Sequence, residues 1–80
     1  MPVPREIVVF ISYENPGPPD LPETVGRELI AALNLGRAAL GVDPLTGGCE
    51  VRFGYDPRVY EEARAWLSGR GVLHEIGTLG

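Results

Sequence analysis

Ile7-Val8-Val9-Phe10-Ile11 is an unbroken run of β-branched and aromatic residues, with Pro4 before it and Asn15-Pro16 beyond it. Its shortness, composition and flanking turn residues predict a strand. With an apolar side chain at every position, both faces of this strand are expected to be covered, which places it in the middle of a sheet. Ser12, Tyr13 and Glu14 continue it towards its exit.

Working outward, Asn15-Pro16-Gly17-Pro18-Pro19-Asp20 is read as a stiff, extended loop, because Pro removes backbone donors and holds φ. The P-x-x-P spacings Pro16/Pro19 and Pro19/Pro22 fit a rigid connection better than an SH3-type ligand, since no Arg stands close by. Asp20 is expected to cap a helix, with Glu23 at the third helical position completing a capping box. Leu21, Val25, Leu29, Ala32, Leu33, Ala39 and Leu40 share one helical face; Glu23, Thr24, Arg27, Asn34 and Arg37 share the other. The helix is predicted from Leu21 to about Leu35, followed by a short helical piece over Arg37–Leu40. Ile30 and Leu35 lie off the main face and are expected to be partly exposed.

A turn-rich loop, Gly41 to Gly48, leads into Cys49-Glu50-Val51-Arg52-Phe53-Gly54-Tyr55. This segment alternates apolar and polar residues, which predicts a half-exposed strand at a sheet edge. Asp56-Pro57 should cap and open a second helix. Its buried face is expected to hold Val59, Tyr60, Ala63, Trp66 and Leu67, and Gly69 or Gly71 should end it in the left-handed conformation. Val72–Ile76 reads as a third strand, with Gly77–Gly80 as a tail. The expected fold is therefore a single α/β domain over residues 1–80, of order β-α-β-α-β. Strand 1 lies centrally in a three-stranded sheet of order 2-1-3, with the helices on opposite faces. A split or antiparallel variant stays open, because the long loop before Cys49 can return the chain to either end.

Composition narrows the function. An 80-residue chain buries only about 60–65% of its unfolded surface, too little for a multidomain enzyme. Eleven acidic against seven basic residues give a net charge of -4, which disfavours phosphate-driven nucleic-acid binding. The single Cys excludes an intramolecular disulfide. No apolar run is long enough to span a membrane, and Met1–Glu6 does not read as a signal peptide, so a cytoplasmic protein is expected.

Catalytic patterns are weak. Cys49 and His74 lie on different strands without metal-ligand spacing; each reads more readily as packing than as nucleophile or base. Ser68-Gly69-Arg70-Gly71 falls at a helix end, where outward carbonyl groups disfavour anions. Tyr13, Phe53, Tyr55 and Trp66 are too dispersed for a base-stacking platform. No cofactor or metal is expected. Val9-Phe10-Ile11-Ser12-Tyr13 resembles the opening strand of TIR-type signalling domains. The segment that carries that family's catalytic glutamate has no counterpart here, so the resemblance implies no site residue.

The remaining signal is acidic. In a parallel sheet, Glu14, Asp20, Glu23, Asp56, Glu61 and Glu62 would gather at the carboxyl-end edge, where open α/β sheets bind their partners. Glu14, Glu23, Glu61 and Glu62 are the expected partner-binding residues, with Asp20 and Asp56 as caps. The expected function is that of a non-enzymatic interaction protein docking on a basic protein surface. In size, charge and lack of catalytic motifs the chain is similar to the small acidic inhibitors of nucleic-acid-binding complexes encoded by mobile elements, anti-CRISPR proteins among them. Two other readings stay open. One is a small enzyme or ligand-binding domain using Tyr13, Glu14, Asp56 or His74 at that edge. The other is a homodimeric structural or regulatory subunit paired through the Cys49–Tyr55 strand.

Overall fold

The computed structural model describes residues 3–80. Six elements follow one another: β1 (Glu6–Ile11), α1 (Leu21–Ala32), β2 (Ala39–Val42), β3 (Cys49–Gly54), α2 (Pro57–Arg70) and β4 (His74–Leu79). The sheet has four strands in the order β2-β3-β1-β4, and every pairing is antiparallel. This is the split β-α-β arrangement. It replaces the expected three-stranded 2-1-3 sheet, and β3 is an interior strand, not an edge.

The additional strand comes from Ala39–Val42, whose Ala and Leu content reads as helical. Helix cannot continue to it, because Asn34 takes a left-handed φ of 54° and Gly36 follows. The chain instead forms a hairpin with β3. Asp43 and Gly48 close its loop through an N–H to C=O bond of 2.8 Å, and Gly47 supplies the positive φ of 76° that the turn requires. The expected tail is also strand. Gly77, Thr78 and Leu79 pair with Val8, Ile7 and Glu6, because β1 extends far enough to offer them partners.

Both helices cover the same face of the sheet. The core joins Ile7, Val9 and Ile11 of β1 with Cys49, Val51 and Phe53 of β3, Val25 and Leu29 of α1, and Ala63 and Leu67 of α2. Strand side chains alternate between faces, so Val8 and Phe10 point away from the helices and are only half-buried. The expectation that β1 is covered on both faces is thus corrected: among the described residues no helix or second sheet lies over the Val8 and Phe10 face of its apolar run. Gly26 brings α1 close to the sheet. A Cβ there would stand 2.9 Å from Cys49 Sγ and 3.1 Å from both Leu40 Cδ1 and Val51 Cγ2.

The two helix starts differ. Asp56 accepts hydrogen bonds at Oδ1 from the backbone N–H groups of Arg58 (2.8 Å) and Val59 (3.4 Å). Asp20 makes no side-chain cap bond. Asp20 has φ -96° and ψ 3°, outside the extended conformation from which an N-cap side chain reaches the first-turn N–H groups, and Pro22 removes one of those donors, so the expected capping box with Glu23 does not form. Gly71, at φ 71°, ends α2 as expected. Ile30 and Leu35 are half-buried against the core. Trp66 is also half-buried, with its ring centre 5.2 Å from the Arg70 guanidinium carbon.

Candidate docking surface

Antiparallel topology separates the four carboxylates expected to act together. Glu23 lies in the first turn of α1, which starts beyond the Ile11 end of β1. The start of α2 lies beyond Gly54, which pairs with Glu6 at the other end of β1. Glu61 and Glu62 therefore belong to a helix that starts at the opposite end of the sheet from Glu23. Two of the four are already neutralised locally. Glu23 accepts from Arg27 Nε at 3.0 Å and Nη2 at 2.8 Å, and Glu61 stands 3.6 Å from Arg64. Glu14 is exposed on the loop after β1, and Glu62 is exposed on α2.

The residues of the enzyme reading are not brought together. His74 and Cys49 both pair with Ile11, from opposite sides. Their backbones stand two strand spacings apart, about 9–10 Å, with Ile11 between them, and each side chain turns to a backbone carbonyl of its own strand end instead of to the other. His74 Nδ1–H donates to the Val72 carbonyl at 2.8 Å, which fixes that nitrogen as the protonated one. Burial raises the Cys49 thiol above its ordinary value of 9.0, and the nearby Glu23 and Glu50 carboxylates add to the rise against the opposing charge of Arg27. The thiol is therefore protonated and unreactive at neutral pH. Tyr13 donates its hydroxyl to the Gly17 carbonyl at 3.0 Å, pinning the Pro-rich loop. Among the described residues no group of three or more His, Cys, Asp or Glu is placed to hold a metal ion.

What the fold does assemble lies on the uncovered face of the sheet. Phe10 sits on the interior strand β1 and is flanked directly by Glu50 on β3 and Glu75 on β4. Its ring rests against Gly48: a Cβ at that glycine would come within 2.7 Å of Phe10 Cζ. The ring forms a ridge between two shallow depressions. One is lined by Val8, Glu75, Gly77 and Leu79, the other by Gly41, Asp43 and Gly48, and Glu50 borders both. Gly41 and Gly77 leave open space on either side, since a Cβ at either position would touch nothing within 4 Å.

The charges on this face are uneven. Arg52 pairs with Glu6 at 2.8 Å, which cancels its charge locally. Glu50 and Glu75 are exposed and form no ion pair among the described residues. An aromatic ring between two free carboxylates places a π system and two anions within reach of the same incoming group. That combination attracts a guanidinium or ammonium and repels a phosphate. Comparison with family models, with curated proteins and with solved structures gives no match to this chain.

Phe10, Glu50 and Glu75 were not among the residues marked by the sequence. Alternation in Cys49–Tyr55 does put Glu50 on the polar side. Phe10, however, sits in a run that reads as buried on both faces. Its link to Glu50 and Glu75 is a matter of register, which exists only once strands 40 and 65 residues away have paired with β1.

Proposed function

We propose that this chain is a small non-catalytic binding protein that docks on a basic protein surface through the uncovered face of its sheet. The observation that supports this reading is Phe10 flanked by the unpaired carboxylates Glu50 and Glu75. A guanidinium or ammonium side chain of the partner stacks on the ring and is met by a carboxylate on either side. Basic surfaces of this kind are what nucleic-acid-binding proteins present to phosphates, so occupancy by this chain competes with nucleic acid there. Long-range attraction acts mainly on the rate of encounter and weakens as salt rises.

A titration of the isotopically labelled protein with an Arg/Lys-rich peptide, followed by amide chemical shifts, tests this. The expected shifts cluster at Phe10, Glu50, Glu75 and their strand neighbours, decline with added salt, and vanish in the Glu50→Gln/Glu75→Gln double variant. An acidic peptide of equal length should leave the spectrum unchanged. Shifts confined to Glu14, Glu23, Glu61 and Glu62 would move the docking surface to the loop and helices. Undiminished binding by the double variant would refute the role of the sheet face.

A further inference from the structure

We propose that two copies of this chain join through their β4 strands, edge to edge about a two-fold axis at Ile76, into one continuous eight-stranded sheet. The outer side of β4 is open, since β4 ends the sheet order. Ser12 donates its backbone N–H to the Leu73 carbonyl at 2.9 Å, and Arg5 donates to Leu79 at 2.8 Å. These bonds set the phase of the ladder: Leu73, Glu75, Gly77 and Leu79 direct their backbone groups towards β1, and His74, Ile76 and Thr78 direct theirs outward. Three residues thus present free N–H and C=O groups along an edge that carries no Pro, no Lys and no bulge; of the usual guards against strand addition it holds one carboxylate, Glu75.

Side chains select both the occupant and the register. Isologous antiparallel pairing centred on Ile76 sets Ile76 against the partner's Ile76 and His74 against the partner's Thr78. On the uncovered face, Leu73 falls opposite the partner's Leu79, and Glu75 opposite the partner's Gly77. Leu73 and Leu79 are 59% and 44% exposed in the single chain, and this register covers each with the other, twice per dimer. Centring one residue earlier would put Glu75 against the partner's Glu75, a like-charge pair that opposes association. Centring one residue later would set Glu75 against the partner's Leu79 and strip Leu73 of an apolar neighbour. The opposite edge is less suited, because β2 has four residues to the six of β4. A two-fold contact also closes on itself, so the assembly stops at two copies.

Sedimentation equilibrium of the full chain is expected to give twice the 8.6 kDa chain mass at millimolar concentration. Thr78→Pro removes an N–H that points outward, so the ladder to β1 stays whole while the seam is blocked; this variant should be monomeric with an unchanged circular dichroism spectrum. Leu73→Lys and Leu79→Glu should each weaken dimerisation about tenfold or more, because each change enters the seam twice. Combined, the introduced charges face one another across the seam and should recover most of the lost affinity. A monomer mass for the unaltered chain, or a mass that grows without limit, would overturn the proposal. So would a folded Thr78→Pro variant that stays dimeric. Failure of the combined variant to recover would overturn the Ile76-centred register. The seam leaves Phe10 uncovered, so none of these outcomes depends on the peptide titration.

Discussion

Gly26→Ala is expected to lower stability, although helix propensity by itself predicts a gain. Gly26 lies in the interior of α1, where exchanging Gly for Ala favours the helix by about 0.8–1.0 kcal/mol. Against that stands the space. The new methyl would meet Cys49 Sγ at 2.9 Å and Leu40 Cδ1 and Val51 Cγ2 at 3.1 Å. Cys49 and Val51 are fully buried, and the three atoms belong to two adjacent strands, so they cannot all yield by one side-chain rotation. Helix α1 must lift from the β2–β3 hairpin, and overpacking of this kind costs about 1–3 kcal/mol. The difference is a net loss of about 1 kcal/mol, which for a domain of this size lowers Tm by about 4–8 °C. Thermal unfolding followed by circular dichroism is the assay. Repeating the substitution in a Cys49→Ala background removes the closest of the three atoms. There the methyl should cost less than in the native background, with a coupling of at least about 0.5 kcal/mol. A Tm that rises in Gly26→Ala would show that α1 sits further from the sheet than the contacts state, and would sink the argument.

Cys49 should make stability fall with alkaline pH. Its folded-state value is raised by burial and by the Glu23 and Glu50 charges, so the unfolded chain releases this proton first. The stabilisation is complete below about 9, the ordinary thiol range, and is lost as pH climbs towards the folded value. Urea midpoints at pH 7 and pH 10 should diverge more for the native chain than for Cys49→Ala. The two helix caps should respond unequally. Asp56→Ala removes two hydrogen bonds to Arg58 and Val59 and should cost about 1 kcal/mol. Asp20→Ala removes none and should leave the denaturant midpoint nearly unchanged; equal losses would refute the assignment.

Local chemistry was enough to place most elements. The apolar run around Val9 marks a strand, the Asp56-Pro57 pair opens a helix, Gly71 closes it, and alternation from Cys49 onward marks a strand with Glu50 and Arg52 on its polar side. Each of these signals acts within a few residues, through φ restrictions, caps and side-chain periodicity. Ala39–Val42 escaped such reading because its residues suit a helix locally. It becomes a strand only through the turn at Asp43–Gly48 and the bonds that β3 offers it. Asp20 misled for a related reason, since a side-chain cap needs an extended backbone at the cap residue, and the loop before α1 sets Asp20 at φ -96° and ψ 3°.

The arrangement of the elements was decided by long-range contacts. Side-chain pattern alone could not tell whether Val8 and Phe10 are covered, because an apolar residue reads the same whether a helix lies over it or not. Placing both helices on one side left that face bare. Register then set Glu50 and Glu75 beside Phe10, and antiparallel pairing sent the starts of α1 and α2 to opposite ends of the sheet. A cluster of charges is a property of distances in space. Here those distances are set by backbone hydrogen bonds between segments far apart in the chain.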